Sequence, residues 1–243
     1  MKAGDIYQTN KWGDIVIEKY VDHKNVHIKF LNSGVERVVR PDLVVKGVVE
    51  DPTYPTRYGF GFMGIGPYSS KLNKRFHVTW KGVLERAYCP KLHNKYPTYA
   101  DCSVDSQWHN FQEFAEWCQW QKGGTLNGWE LDKDLLFPNN KYYSAETCCF
   151  IPKEVNIAVR IGSAKNGFLP GVYQANGSYI VCTTDHEKVK ISKRFSSEEA
   201  AFYWYCEQKD EKMLKFALEY RECLDDRAFH ALQNFSTATR WAP

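Results

Sequence analysis

Trp129-Glu-Leu-Asp-Lys-Asp-Leu-Leu-Phe-Pro-Asn-Asn-Lys-Tyr-Tyr-Ser-Ala-Glu-Thr-Cys-Cys-Phe-Ile-Pro-Lys-Glu-Val-Asn156 decides the fold of this chain. Two short apolar runs, Leu131 to Phe137 and Thr147 to Ile151, flank Pro138-Asn-Asn-Lys141, whose residues tolerate turn geometry, so the stretch predicts a β-hairpin. Pro152 suits a first helical position, where no backbone N–H is needed, and Lys153 to Arg160 has helical character. A hairpin running straight into a helix can hold a carboxylate from the first strand beside an amide from the helix. Asp132 and Asn156 are that pair, and their oxygens suit a hard divalent cation such as Mg²⁺ or Mn²⁺. Asp134 lies two residues along the strand from Asp132 and so shares its face, as a third ligand or as the direct partner of Lys133.

Outward from the hairpin, the chain predicts an α+β fold in three modules. Residues 1–51 read as a small N-terminal β-barrel: Trp12–Tyr20, Asn25–Leu31 and Glu36–Arg40 are strand-like, with turns at Asp22-His-Lys24 and Asn32-Ser-Gly34. Val26, Ile28 and Phe30 alternate with His27 and Lys29, so one face is buried, and curling into a barrel is the simplest way to bury it. Lys29, Arg37 and Arg40 are read as stabilising this module. Residues 52–70 form a linker, since 51–67 hold four glycines and three prolines with no phosphate-loop Lys-Ser/Thr or helix start behind them.

The central core spans 71–161. It contains a short helix within 77–88 and a clear helix from Asp105 to Trp120, where Trp108, Phe111, Ala115 and Cys118 recur at helical spacing. That aromatic stripe is read as core, and Gly123-Gly124 ends the helix. A second linker, 162–167, leads to a module at 168–236 with strands at 170–174, 178–184 and 188–191 and turns at Asn176-Gly177 and Asp185-His186. Ser196-Ser-Glu-Glu opens a helix, or helix pair, that reaches about Phe235, and the last eight residues read as frayed.

No apolar run approaches the 18 or so residues of a membrane span, and Met1-Lys-Ala-Gly-Asp5 does not read as a signal peptide, so the expectation is a cytoplasmic protein without a membrane partner. The eight cysteines include no Cys-x-x-Cys and are read as reduced and mostly buried; Cys89, His93 and Cys102 are the weaker alternative of a zinc site. Net charge is only +3, yet Lys71, Lys74, Arg75, Lys81, Arg86, Lys91 and Lys95 face the single acid Glu85 within 71–95. Such a local excess fits a phosphate-binding surface, and equally a solvated charged face. Oligomeric state is not readable.

Two segments resemble known families. Trp80-x-x-x-Leu84-x-Arg86-x-Tyr88, Pro97-Thr-Tyr99, Cys102-x-Val104, Trp108-x-x-Phe111-x-x-Phe114, Leu131-Asp-Lys-Asp134 and Asn156 together resemble the HNH endonucleases, in the divergent form of phage-encoded homing-type nucleases, over about 75–160. Gly171-Val-Tyr173, Gly177-Ser-Tyr179 and Phe195-Ser-Ser-Glu-Glu-Ala-Ala201 resemble the Apetala2-type DNA-binding domain, over 168–220. The first resemblance implies a ββα-metal core that hydrolyses phosphodiesters of double-stranded DNA, by nicking or cleavage, with Asp132 and Asn156 ligating the metal. The second implies a sheet lying in the major groove with a helix behind it. Double-stranded DNA is then the partner, and the host-cell cytoplasm the location. Contacts are expected from Lys71, Lys74, Arg75, Lys81 and Arg86, and from Tyr173, Tyr179, Lys188, Lys190, Lys193 and Arg194.

The chain departs from both patterns. Lys133 stands where the HNH pattern has its imidazole base, and an ordinary lysine is protonated at neutral pH and accepts no proton. Lys133 would then clamp a phosphate electrostatically, with His109 or a metal-bound hydroxide as base. Thr147 replaces the second-strand asparagine, and Tyr173, Thr184 and Val189 replace arginines of the plant domain. The rival function is therefore a catalytically inactive DNA-binding or host-takeover protein on an HNH scaffold, and a third is a protein-interaction module using aromatic surfaces.

Overall fold

A computed structural model describes residues 1–162 and 167–241. The expected second linker falls largely outside the described residues (163–166), as do the last two residues of the expected frayed end. The chain is mixed α+β and divides into two compact units, 1–116 and 117–243, a division that falls inside the span read as the central core.

The first unit opens with a four-stranded antiparallel meander, β1 (Ile6–Gln8), β2 (Asp14–Tyr20), β3 (Val26–Phe30) and β4 (Glu36–Val39), in sequence order. Pairing Ile15 with Phe30 and Ile17 with Ile28 puts these four fully buried apolar side chains on one face, while Val16, opposite Lys29, lies on the other. The expected barrel does not close: among the described residues nothing pairs β4 with β1. Val44 of helix α1 (Pro41–Val45) and Val49 cover the apolar face instead, so no returning strand is needed. Lys29 pairs with Glu36 at 3.1 Å, Arg40 with Asp42 at 2.9 Å, and Arg37 donates to the Glu50 carbonyl at 2.6 Å, all within this module.

Helix α2 (Lys74–Tyr88) starts earlier than predicted and buries Phe76, Trp80, Val83, Leu84 and Ala87 along one stripe. The Trp80 indole N–H donates to the Trp108 carbonyl at 2.8 Å. The Gly/Pro stretch is not a free linker. Phe62 exchanges backbone hydrogen bonds with His109 and Phe111, and a Cβ on Gly61 would lie 2.3 Å from a Leu84 methyl, so glycine lets the chain lie against α2. A short helix α3 (Pro90–Lys95) follows. The predicted helix from Asp105 is two pieces: a 3₁₀ turn, Ser106–His109, capped by the Asp105 side chain, and then α4 (Phe111–Trp120). Asn110, in extended conformation, separates them.

In the second unit, β5 (Trp129–Asp132) and β6 (Cys149–Pro152) pair antiparallel as predicted, but β5 stops well short of Phe137 and the connection is far longer than the predicted turn; α5 (Lys153–Val159) follows without a loop. The register Glu130↔Ile151 and Asp132↔Cys149 places these four side chains on one face. Cys149, Ile151, Val155 and Val159 share a core with Met213 and Phe216 of α6 (Glu198–Glu219) and Ala228 and Leu232 of α7 (Asp226–Gln233). The three later strands, β7 (Val172–Ala175), β8 (Ser178–Thr184) and β9 (Lys190–Phe195), make an antiparallel sheet ordered β9-β8-β7, joined by the Asn176-Gly177 and Asp185–Lys188 turns. Ser197 caps α6 by accepting from the Ala200 N–H. The first half of α6 lies under this sheet through Ala201, Phe202 and Cys206, and its second half lies against the hairpin core.

The expected frayed end is a helical turn, α8 (Thr237–Trp241). Thr237 is fully buried, and both its N–H and its hydroxyl donate to Asp210 of α6. Among the described residues no helix is long and apolar enough to cross a membrane.

Candidate functional site

Asp132 ends β5, and its Oδ1 accepts the N–H groups of Asp134 at 3.0 Å and Leu135 at 2.6 Å, turning the chain out of the strand. Burial raises its carboxyl pKa more than these bonds lower it. Lys133 is also buried; its ammonium donates to Asp134 Oδ1 at 2.6 Å and to the Asn140 carbonyl, and lies 6.0 Å from the Tyr143 ring centre. Asn140 closes the loop by donating to the carbonyls of Lys133 and Tyr142, and Thr147 does likewise with a 2.6 Å bond to the Tyr142 carbonyl. Lys133 is thus an internal brace of the loop rather than a clamp held out to a phosphate.

Asn156 is buried on α5, and its amide donates to Glu130 Oε2 at 2.7 Å. Glu130 is a partner that the sequence reading passed over, although its place two residues before Asp132 puts it on the same strand face. Arg240 is the second omission. From α8 its guanidinium donates to the carbonyls of Asp134, at 3.0 Å, and Leu135, in the field of Asp132, Asp134 and Asp210.

Each proposed ligand is therefore engaged within the fold. Asp132 is turned to the backbone, Asp134 to Lys133 and Asn156 to Glu130, while Lys133 and Arg240 already supply positive charge beside the two aspartates. Among the described residues no three His, Cys, Asp or Glu side chains gather as a cation site. As folded, this donor set does not fit a divalent metal.

The alternative base, His109, belongs to the first unit. Its Nε2 is 2.8 Å from the Tyr88 hydroxyl, its ring lies against Phe60, and burial lowers its pKa. In the zinc alternative, His93 Nε2 is 2.8 Å from the Arg86 carbonyl and so already has a partner. None of the eight cysteines is in a disulfide; Cys148, Cys149 and Cys206 are among the buried ones, Cys89 and Cys182 are half-buried, and Cys223 is exposed.

The basic candidates lie on two surfaces, one in each unit. On α2, Lys74, Val78, Lys81 and Glu85 form the outward stripe, with Arg75 and Arg86 on its flank and Lys71 just before the helix. Among the described residues Lys71, Lys74, Lys81 and Arg86 pair with no carboxylate. In the C-terminal sheet the candidates part company. Val172 and Val181 mark the face under α6, and Tyr179 and Lys193 belong to it: Tyr179 meets Phe168, and the Lys193 ammonium lies over Phe195 and Trp204. Tyr173, Lys190 and Arg194 alternate onto the opposite face, all exposed, with Tyr173 and Arg194 flanking Ile180 in one cross-strand row. Lys188, in the β8–β9 turn, is ion-paired to Glu154 of α5 at 2.8 Å.

No protein-family model matches the sequence, and no curated protein or solved structure matches it.

Proposed function

We propose that the chain binds duplex DNA on an HNH-like ββα scaffold, with an Apetala2-like C-terminal sheet, and that its hairpin is a structural brace rather than a hydrolytic centre. The observation that carries the reading is the open face of that sheet, where Tyr173, Lys190 and Arg194 stand exposed while α6 seals the other side. A positive, one-sided β-surface suits a groove edged by phosphates. The lysines of α2 supply a second cationic surface, and the resemblance of both segments to DNA-handling families points the same way. In this reading the protein works in the cytoplasm of the host cell.

Binding led by phosphates weakens as salt rises, because each neutralised phosphate releases counterions. In mobility-shift titrations, duplex affinity is expected to fall steeply between low and moderate salt. The double change Lys190→Ala with Arg194→Ala is expected to weaken binding and to reduce the salt slope by about 1–2. A shift indifferent to salt contradicts the reading. Supercoiled plasmid with Mg²⁺ or Mn²⁺ is expected to stay intact. Nicking by the wild-type chain that Glu130→Ala and Asn156→Ala both abolish would restore the endonuclease reading and place its centre at that acid–amide pair.

A further inference from the structure

One turn of helix at the C-terminal end joins three places that lie far apart in the sequence. Thr237 fixes α8 to α6 through Asp210, with bonds of 2.8 and 2.6 Å to the same carboxylate oxygen. Trp241 packs with the core between α6 and the C-terminal sheet. Between them, Arg240 reaches the hairpin, donating to the carbonyls of Asp134 and Leu135 with its guanidinium 4.5 Å from the Phe235 ring centre. Asp134 and Leu135 are the same two residues whose N–H groups Asp132 holds. Their peptide groups are thus gripped on both sides, by a buried carboxylate at the N–H and a guanidinium at the carbonyl.

A five-residue helix has no stability of its own, since its nucleation cost exceeds what one turn returns. Its three anchors must therefore hold or release together. We propose that α8 is an intramolecular clasp, with Arg240 as its pin, that keeps the start of the hairpin loop at Asp134 and Leu135 closed and makes its opening depend on the seating of the C-terminal sheet module. Arg240 also lies in the field of Asp132 and Asp134, so withdrawal of α8 leaves two backbone carbonyls without their donor and two aspartates without a neighbouring cation. The clasp stands independently of DNA binding, because it rests only on contacts within the second unit.

Amide hydrogen exchange on the full chain tests it. Arg240→Gln removes the charge and one arm of the bidentate contact. It is expected to speed exchange at the Asp134 and Leu135 amides about tenfold or more while leaving Ile180 and Val181 in β8 unchanged. Asp210→Ala, which removes the Thr237 anchor without removing either carbonyl contact of Arg240, is expected to speed the same two amides. Arg240→Lys, which keeps the charge but reaches one carbonyl, should fall between wild type and Arg240→Gln. Unchanged exchange at Asp134 and Leu135 in Arg240→Gln, or continued protection there in Asp210→Ala, overturns the proposal. So does a rise shared equally by Ile180 and Val181, which would make Arg240 a contributor to global stability only.

Discussion

Asp132 has two tasks that oppose each other: its oxygen must accept two backbone N–H groups, and its charge must sit out of water. Burial is the larger effect and raises its carboxyl pKa, so the folded protein favours the protonated acid and loses stability as pH rises past the ordinary carboxylate range. Asp132→Asn keeps an oxygen for the turn without the charge. Its melting temperature is expected to exceed that of wild type at neutral pH, and the gap should close as pH falls below about 4. A variant less stable than wild type at neutral pH would show that the charge is needed there, as a metal ligand would be. At this scale the sequence was partly legible. Asp132, Lys133, Asp134 and Asn156 do lie on or beside one hairpin, and Glu130 was within reach of the two-residue period. Arg240 was not, because nothing local in a sequence reports a contact between residues more than a hundred positions apart.

The strand β8 and the helix α5, each with a local signature, were read almost to the residue. Asn176-Gly177, both with positive φ, fixes the β7–β8 turn, and β8 spans the predicted Ser178–Thr184. Helix α5 likewise follows directly on Pro152, whereas the first hairpin strand, read as Leu131 to Phe137, ends at Asp132, whose carboxylate turns the chain out of the strand. The barrel was overread because alternation in β3 shows that one face is buried but not what buries it, and Val44 with Val49 does so from outside the strands. The helix from Asp105 was read as one element because the apolar spacing runs on across Asn110. Gly124, read correctly as a stop, has a sharper role: a Cβ there would lie 1.9 Å from the Cys118 carbonyl oxygen. Gly124→Ala is therefore expected to cost at least about 2 kcal/mol in urea unfolding, because backbone must move. A cost below roughly 0.5 kcal/mol, the scatter of neutral surface changes, would contradict that close approach.

For the whole molecule, division into two units lets acid act on one of them through its histidines. His77 and His109 both lie in the first unit, and burial lowers the pKa of each, so the fold favours their neutral forms. Stability from this source is present above the ordinary histidine value, about 6.5, and is lost as pH falls below it. Thermal unfolding of the intact chain should therefore show a drop in stability between about pH 6.5 and 5 that His77→Gln with His109→Gln removes. A drop that persists unchanged in the double variant assigns the acid sensitivity elsewhere. The two-unit division itself was not legible, since composition marks the Gly/Pro stretch as a boundary while its packing against α2 makes it interior to the first unit.

The thiols offer a practical consequence. Burial pushes Cys148 up to about 12 and Cys206 up to about 11, and it raises Cys149 as well, so these three carry almost no thiolate at neutral pH. Cys223, exposed in the turn between α6 and α7, is left as the natural handle. One equivalent of a maleimide dye at neutral pH should enter the peptide containing Cys223 before those containing Cys148 and Cys149, as peptide mass mapping would record. Modification of that adjacent pair first would mean that the hairpin core opens to solvent. If Cys223 reacts first, the chain carries a fluorescent reporter at that turn with no cysteine removed.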